Sequence, residues 1–145
     1  KKFKKLSNDI EYQHNVYVEN GYNNKVLKDY KKMIVVINNF DKFIVKLGTA
    51  NKKVFETMMT NGKDLGTFTF ILSDLPNNLK KYEFESWYKA SVANNFGIWI
   101  GNGIGNQFTL KVTTNSRVLR AEVPPGFGYV IRKGKAALMK LMSDE

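Results

Sequence analysis

The chain has 145 residues, 43% of them apolar, and a net charge of +10 from 23 Lys and Arg against 13 Asp and Glu. That apolar content excludes a disordered segment, and the length predicts one domain with a packed core. There is no cysteine, which excludes a disulfide scaffold and thiol–metal sites. No apolar run approaches the roughly 18–20 residues that span a bilayer, and no signal-peptide pattern is visible.

In chain order, residues 1–12 read as a short amphipathic helix with Phe3, Leu6 and Ile10 on one face. Residues 13–29 are polar and rich in Asn, Gly and Tyr, which predicts a loop or a poorly defined helix. Residues 33–38 are a strand. Residues 51–63 are a helix burying Val54, Phe55, Met58 and Met59, with Gly62 near its end. A second strand follows at 67–72, then a helix over 83–94 and a third strand at 97–100. After a Gly/Asn turn and an ambiguous stretch at 106–112, Pro124-Pro125-Gly126 opens a terminal pair of strands, 127–132 and 135–142. Strands alternating with helices predict an α/β domain with a mainly parallel sheet. The last two strands, joined by so short a turn, can pair only as an antiparallel hairpin.

The first strand, Met33-Ile34-Val35-Val36-Ile37, runs into Asn38, Asn39, Phe40 and Asp41. An apolar run ending in polar residues is how the central strand of a P-loop ATPase reads before its Walker B acids. There the first acid helps to hold Mg²⁺ and the second activates water. Here both positions are Asn. An amide takes no proton from water and is a poor ligand for a hard cation beside a carboxylate. The same run also fits a buried strand of an unrelated α/β protein.

The remaining signals are weak. No G-x-x-x-x-G-K-[ST] motif is present. The nearest imitation, Gly128…Gly134-Lys135-Ala136, has the wrong spacing and Ala in place of the Mg²⁺-binding hydroxyl. The cluster Gly101-Asn102-Gly103-Ile104-Gly105-Asn106 departs from the dinucleotide spacing, so it reads as a loop. His14 stands alone in a polar stretch, without partners at metal-ligand spacing, and reads as a surface residue. Glu83 and Glu85 at a helix start offset the macrodipole. Trp87 and Tyr88 are adjacent on the predicted helix and so point to different faces; one of them is expected to be exposed or to line a groove for a partner. The lysines fall in small clusters, among them Lys28, Lys31 and Lys32. They suit nucleic acid, an acidic membrane or an acidic partner, or simply a solvated surface, and arginine, the residue of base and phosphate forks, is sparse.

Taken together, Met33–Asp41, the stretch Asn61-Gly62-Lys63-Asp64-Leu65-Gly66-Thr67-Phe68-Thr69-Phe70-Ile71-Leu72, the segment Ser91–Ile100 and the hairpin Pro125-Gly126-Phe127-Gly128-Tyr129-Val130 resemble the second half of an FtsK/SpoIIIE-type motor domain. The likeness is greatest to the degenerate third, C-terminal ATPase-like domain of type VII secretion ATPases of the EssC type. The resemblance implies a RecA-like P-loop NTPase sheet lacking its N-terminal, P-loop half, with a strand missing between the first two strands here. The two strands would then either pair directly or leave an open edge, which favours self-association. It implies a degenerate Walker B at Asn38, Asn39 and Asp41, and Ser73 and Asp74 where relatives carry a sensor for the γ-phosphate. ATP and Mg²⁺ would belong to the parent protein, not to this segment. The implied setting is the cytoplasmic face of a membrane-anchored bacterial secretion protein. Its partners would be neighbouring ATPase domains and secreted WXG-type substrates, with a regulatory or substrate-recognition role and no hydrolysis by the segment itself. A DNA-binding or DNA-translocase segment of an FtsK-type motor is the alternative.

Overall fold

The computed structural model describes residues 2–92, 96–107, 109–113 and 116–141. The single domain expected from length is divided into two compact units, Lys1–Ser91 and Val92–Glu145.

The first unit opens on α1, Lys2–Glu19. The apolar pattern predicts an end at residue 12, but the inward spacing continues: Ile10 and Gln13 are both buried, and Val16 and Tyr17 pack on the same core. A buried Gln breaks the apolar pattern, yet its Oε1 accepts the Thr67 hydroxyl at 2.6 Å, which satisfies both groups. A 3₁₀ turn, Asn24–Leu27, follows, with Leu27 buried.

Strand β1, Met33–Asn38, pairs in parallel with β2, Phe68–Ser73, in register from Met33↔Phe68 to Asn38↔Ser73. Between them runs α2, Phe40–Gly62, far longer than the helix read from 51. It is broken at Gly48, whose φ of 70° and ψ of 168° lie outside helical space; that interruption hid its first half from the periodicity. One core joins Ile10, Leu27, Met58, Leu65 and Phe68. A second knot is aromatic: Phe40 lies 5.1 Å from Tyr82 and 5.8 Å from Phe55 between ring centroids. A short helix that the pattern does not predict, α3, spans Pro76–Lys80, and of the helix predicted over 83–94 only the short α4, Ser86–Ser91, is present; residues 93–95 lie outside the description.

β1 and β2 pair directly, the first of the two outcomes expected where no strand lies between them. The backbone groups that would have been orphaned are satisfied by each other. The open features of the pair are its outer edges and one face, on which Ile34 and Val36 are 68% and 64% exposed and Ile71 is 47% exposed.

The second unit is built on an antiparallel sheet, ordered β3-β4-β5: Phe96–Ile100, Phe127–Arg132 and Lys135–Lys140. The terminal hairpin forms as expected, turning at Lys133 and Gly134, both at positive φ, the conformation that matches strand twist in a two-residue turn. The third strand does not extend a parallel sheet, however. It pairs antiparallel with β4, Phe96 opposite Arg132 and Ile100 opposite Gly128. The architecture is therefore mixed α/β with two small sheets, one parallel and one antiparallel, rather than a single mainly parallel one. Gly128 is required here, because a Cβ at this position would collide with the Trp99 carbonyl oxygen. The short helix α5, Ser116–Leu119, supplies Leu119 to a core with Ile104, Tyr129 and Ile131. The ambiguous stretch at 106–112 begins on the last residue of a 3₁₀ turn, Ile104–Asn106, and is irregular beyond it where described.

Candidate functional site at the carboxyl ends of the parallel strands

Parallel strands direct their carboxyl ends toward the usual ligand crevice of α/β folds, and this is where the structure brings the candidate residues of the first unit together. Asn38 and Ser73 are register partners at the last position of β1 and β2, and both are exposed. Asn39 follows in left-handed conformation (φ 52°, ψ 58°) and precedes α2 without capping it through its side chain. An Asn in this position tolerates the positive φ that most residues resist.

The cap comes from elsewhere. The Asp74 carboxylate accepts the backbone N–H of Asp41, in the first turn of α2, at 2.7 Å. It also accepts the N–H of Leu75 at 2.7 Å and the Asn78 side-chain amide at 2.8 Å, at the start of α3. One carboxylate thus ties the end of β2 to the starts of two helices. Burial would raise its pKa, but the Asn78, Asp41 and Leu75 donors hold it below the ordinary carboxylate value.

Asp41 is committed as well. Its carboxylate accepts Lys81 Nζ at 2.8 Å and the Tyr82 hydroxyl at 2.8 Å. The Lys81 bond, then that of Tyr82, holds its pKa below the usual range. Burial, followed by the bond to Asp41, pushes the Tyr82 phenol well up. Nothing in the sequence pairs Lys81 or Tyr82 with a residue on the other side of β2; only the fold does so.

These groups do not fit Mg²⁺ and the phosphates of ATP. The positions at the open end carry amides and a hydroxyl, and the two carboxylates nearby are engaged in holding α2, α3 and the Lys81–Tyr82 segment. No group of three or more His, Asp or Glu residues suited to a metal ion occurs among the described residues. What the arrangement offers is a lip of neutral hydrogen-bonding side chains, Asn38, Asn39 and Ser73, on a rigid base.

Trp87 and Tyr88 are both buried, each 4% exposed. Adjacent residues on a helix are about 100° apart, so both side chains fit within one buried arc of α4. Trp87 packs on Phe55 and Phe40, with centroids 5.4 Å and 5.9 Å away, and Tyr88 stacks edge-on to Trp87 at 5.5 Å. Trp87 also forms part of the wall of a shallow cleft of about 360 Å³ with Glu56, Thr60, Asn61 and Glu85. Lys52 bridges the two acids, 3.7 Å from Glu56 and 3.3 Å from Glu85, so Glu85 has a tertiary ion pair rather than only a helix dipole to answer. His14 is half-buried rather than on the surface, and its Nδ1 is buried without a hydrogen-bond partner among the described residues.

Of the lysine clusters, Lys28, Lys31 and Lys32 are all exposed just before β1. Among the described residues no helix is long and apolar enough to cross a membrane. Comparison with protein-family models, with curated proteins and with solved structures finds no match to this chain.

Proposed function

We propose that this chain is an ATPase-like segment of a type VII secretion motor of the FtsK/SpoIIIE class, acting in regulation or substrate recognition and not hydrolysing ATP by itself. The observation that carries the reading is the β1 terminus. A strand of Walker B character lies in a parallel pair, yet its carboxyl end presents Asn38 and Asn39, while Asp41 and Asp74 are spent on the scaffold. The motif resemblance supplies the secretion context, including neighbouring ATPase domains and WXG-type substrates as partners and a membrane-anchored parent. Purified protein mixed with Mg²⁺ and ATP is expected to release no phosphate above background, and to bind a WXG-type substrate in titration. Turnover on the order of 1 s⁻¹ or faster, the range of competent enzymes, would overturn the first half of the reading. Failure to bind any WXG-type substrate would overturn the second.

A further inference from the structure

The second unit carries a surface that the secretion reading neither uses nor requires. In an antiparallel sheet with one covered face, the outer residues of each strand are ordinarily polar. Here the inner face is the expected core, with Trp99, Tyr129, Ile131 and Ala136 turned to Ile104 and Leu119. The outer face is not polar. By register, Ile98, Val130 and Ala137 form one row across it, and Ile100, Gly128 and Met139 a second. Phe96, Ile98 and Ile100 are 59%, 52% and 69% exposed. The third row runs Phe96, Arg132, Lys135, and both basic residues are exposed. Neither forms an ion pair among the described residues. The face is therefore apolar over two rows and positive at one end.

We infer that this face docks an amphipathic helix of a partner protein whose apolar stripe is followed by acidic residues at one end. Three features select that occupant. A helix is about 10 Å across, which matches three strands spaced about 4.8 Å apart. Five residues of β3 span about 17 Å, the length of roughly three helical turns. Finally, residues 92–145 carry seven Lys and Arg against three acids, Glu122, Asp144 and Glu145. That charge repels a second copy and steers an acidic partner, which then sets its acids over Arg132 and Lys135. The apolar rows supply the burial and the basic row fixes the orientation of the helix.

The test uses the full chain and two fluorescent helical peptides of equal length, both with leucines at i, i+3, i+4 and i+7. One ends in glutamates and the other in lysines at the same positions. Anisotropy is expected to show the acidic peptide binding at least about tenfold tighter, a difference of about 1.4 kcal/mol. Amide shifts should map to β3 and β5. Ile98→Glu should abolish binding, and Arg132→Glu with Lys135→Glu should remove the preference between peptides. If Ile98→Glu unfolds by circular dichroism, Ile100→Ser takes its place and should weaken binding at least about fivefold. Equal affinity for both peptides, no binding of either, or shifts confined to another surface would each overturn the proposal. So would a dimer by light scattering that Ile98→Glu dissociates, which would give the face to a second copy. Tight single-stranded DNA binding lost in Phe96→Ala would give it to nucleic acid. None of these outcomes depends on ATP turnover or on a WXG-type substrate, so this inference and the secretion reading fail separately.

Discussion

The Asp74 carboxylate receives the backbone N–H of Asp41 across 33 residues of sequence, at 2.7 Å. Asn39, at the capping position of α2, leaves that donor unserved by its own side chain, and Asp74 replaces the local cap with a tertiary one. Asp74, at the sensor-like position, thus staples β2, α2 and α3 together. Asp74→Ala should lower stability by about 1–2 kcal/mol, the cost of losing helix caps. Asp74→Asn, which keeps an acceptor oxygen, should lose less. Urea denaturation of the two variants checks the order.

Stability should also depend on acid in a defined window. Asp41 and Asp74 both titrate below their ordinary value in the fold. Their contribution is present above the unfolded-state pKa of about 3.9 and is lost as pH falls through the lower folded-state values. Tyr82 behaves oppositely, since its pKa is raised: its contribution is full below about pH 10 and is lost as pH rises beyond that. Denaturation midpoints across pH should fall at both ends. Asp41→Asn should flatten the acid limb, and an unchanged limb would show that this carboxylate is not linked to folding.

The two glycines of the second sheet should respond differently to alanine. At Gly128 an added Cβ meets the Trp99 backbone, which cannot yield without breaking the β3–β4 ladder. At Gly97 it meets the tip of the Leu110 side chain, which can rotate. Gly128→Ala should cost at least about 1–3 kcal/mol, as overpacking does, and Gly97→Ala less. Thermal denaturation of both variants decides it.

The buried pair Gln13 and Thr67, joined at 2.6 Å, offers a further check on the first unit. Thr67→Val leaves the Gln13 carbonyl oxygen without its donor in the interior and should cost about 1–3 kcal/mol. The double variant with Gln13→Leu should recover part of that loss. A cycle showing simple additivity would mean that the two groups are not coupled.

The charge of +10 should bring only weak duplex DNA binding, falling log-linearly as salt rises and weaker than micromolar near 150 mM salt. The first unit offers exposed lysines such as Lys28, Lys31 and Lys32 rather than bidentate arginines. Sub-micromolar binding at that salt, measured by anisotropy, would favour the DNA-motor alternative.

Strand positions were legible from the chain because period-two and apolar-run signals are local. Met33–Asn38, Phe96–Ile100 and the Phe127–Arg132 hairpin strand fall within a residue of where they were read. The replacement of both Walker-type acids by Asn38 and Asn39 was equally plain, because residue identity needs no geometry. Helix extents were less so: α1 continues through Gln13, whose side-chain oxygen accepts the Thr67 hydroxyl, and α2 begins at Phe40 on a cap borrowed from Asp74. What tertiary structure alone decided was pairing. That β1 and β2 are direct neighbours, that β3 joins the hairpin instead of the parallel pair, and that Asp41 and Asp74 act as scaffold all depend on contacts between residues tens of positions apart. Such contacts are chosen by which backbone donors and partly buried carboxylates find partners once the chain has collapsed, and no local pattern of apolar residues encodes that choice.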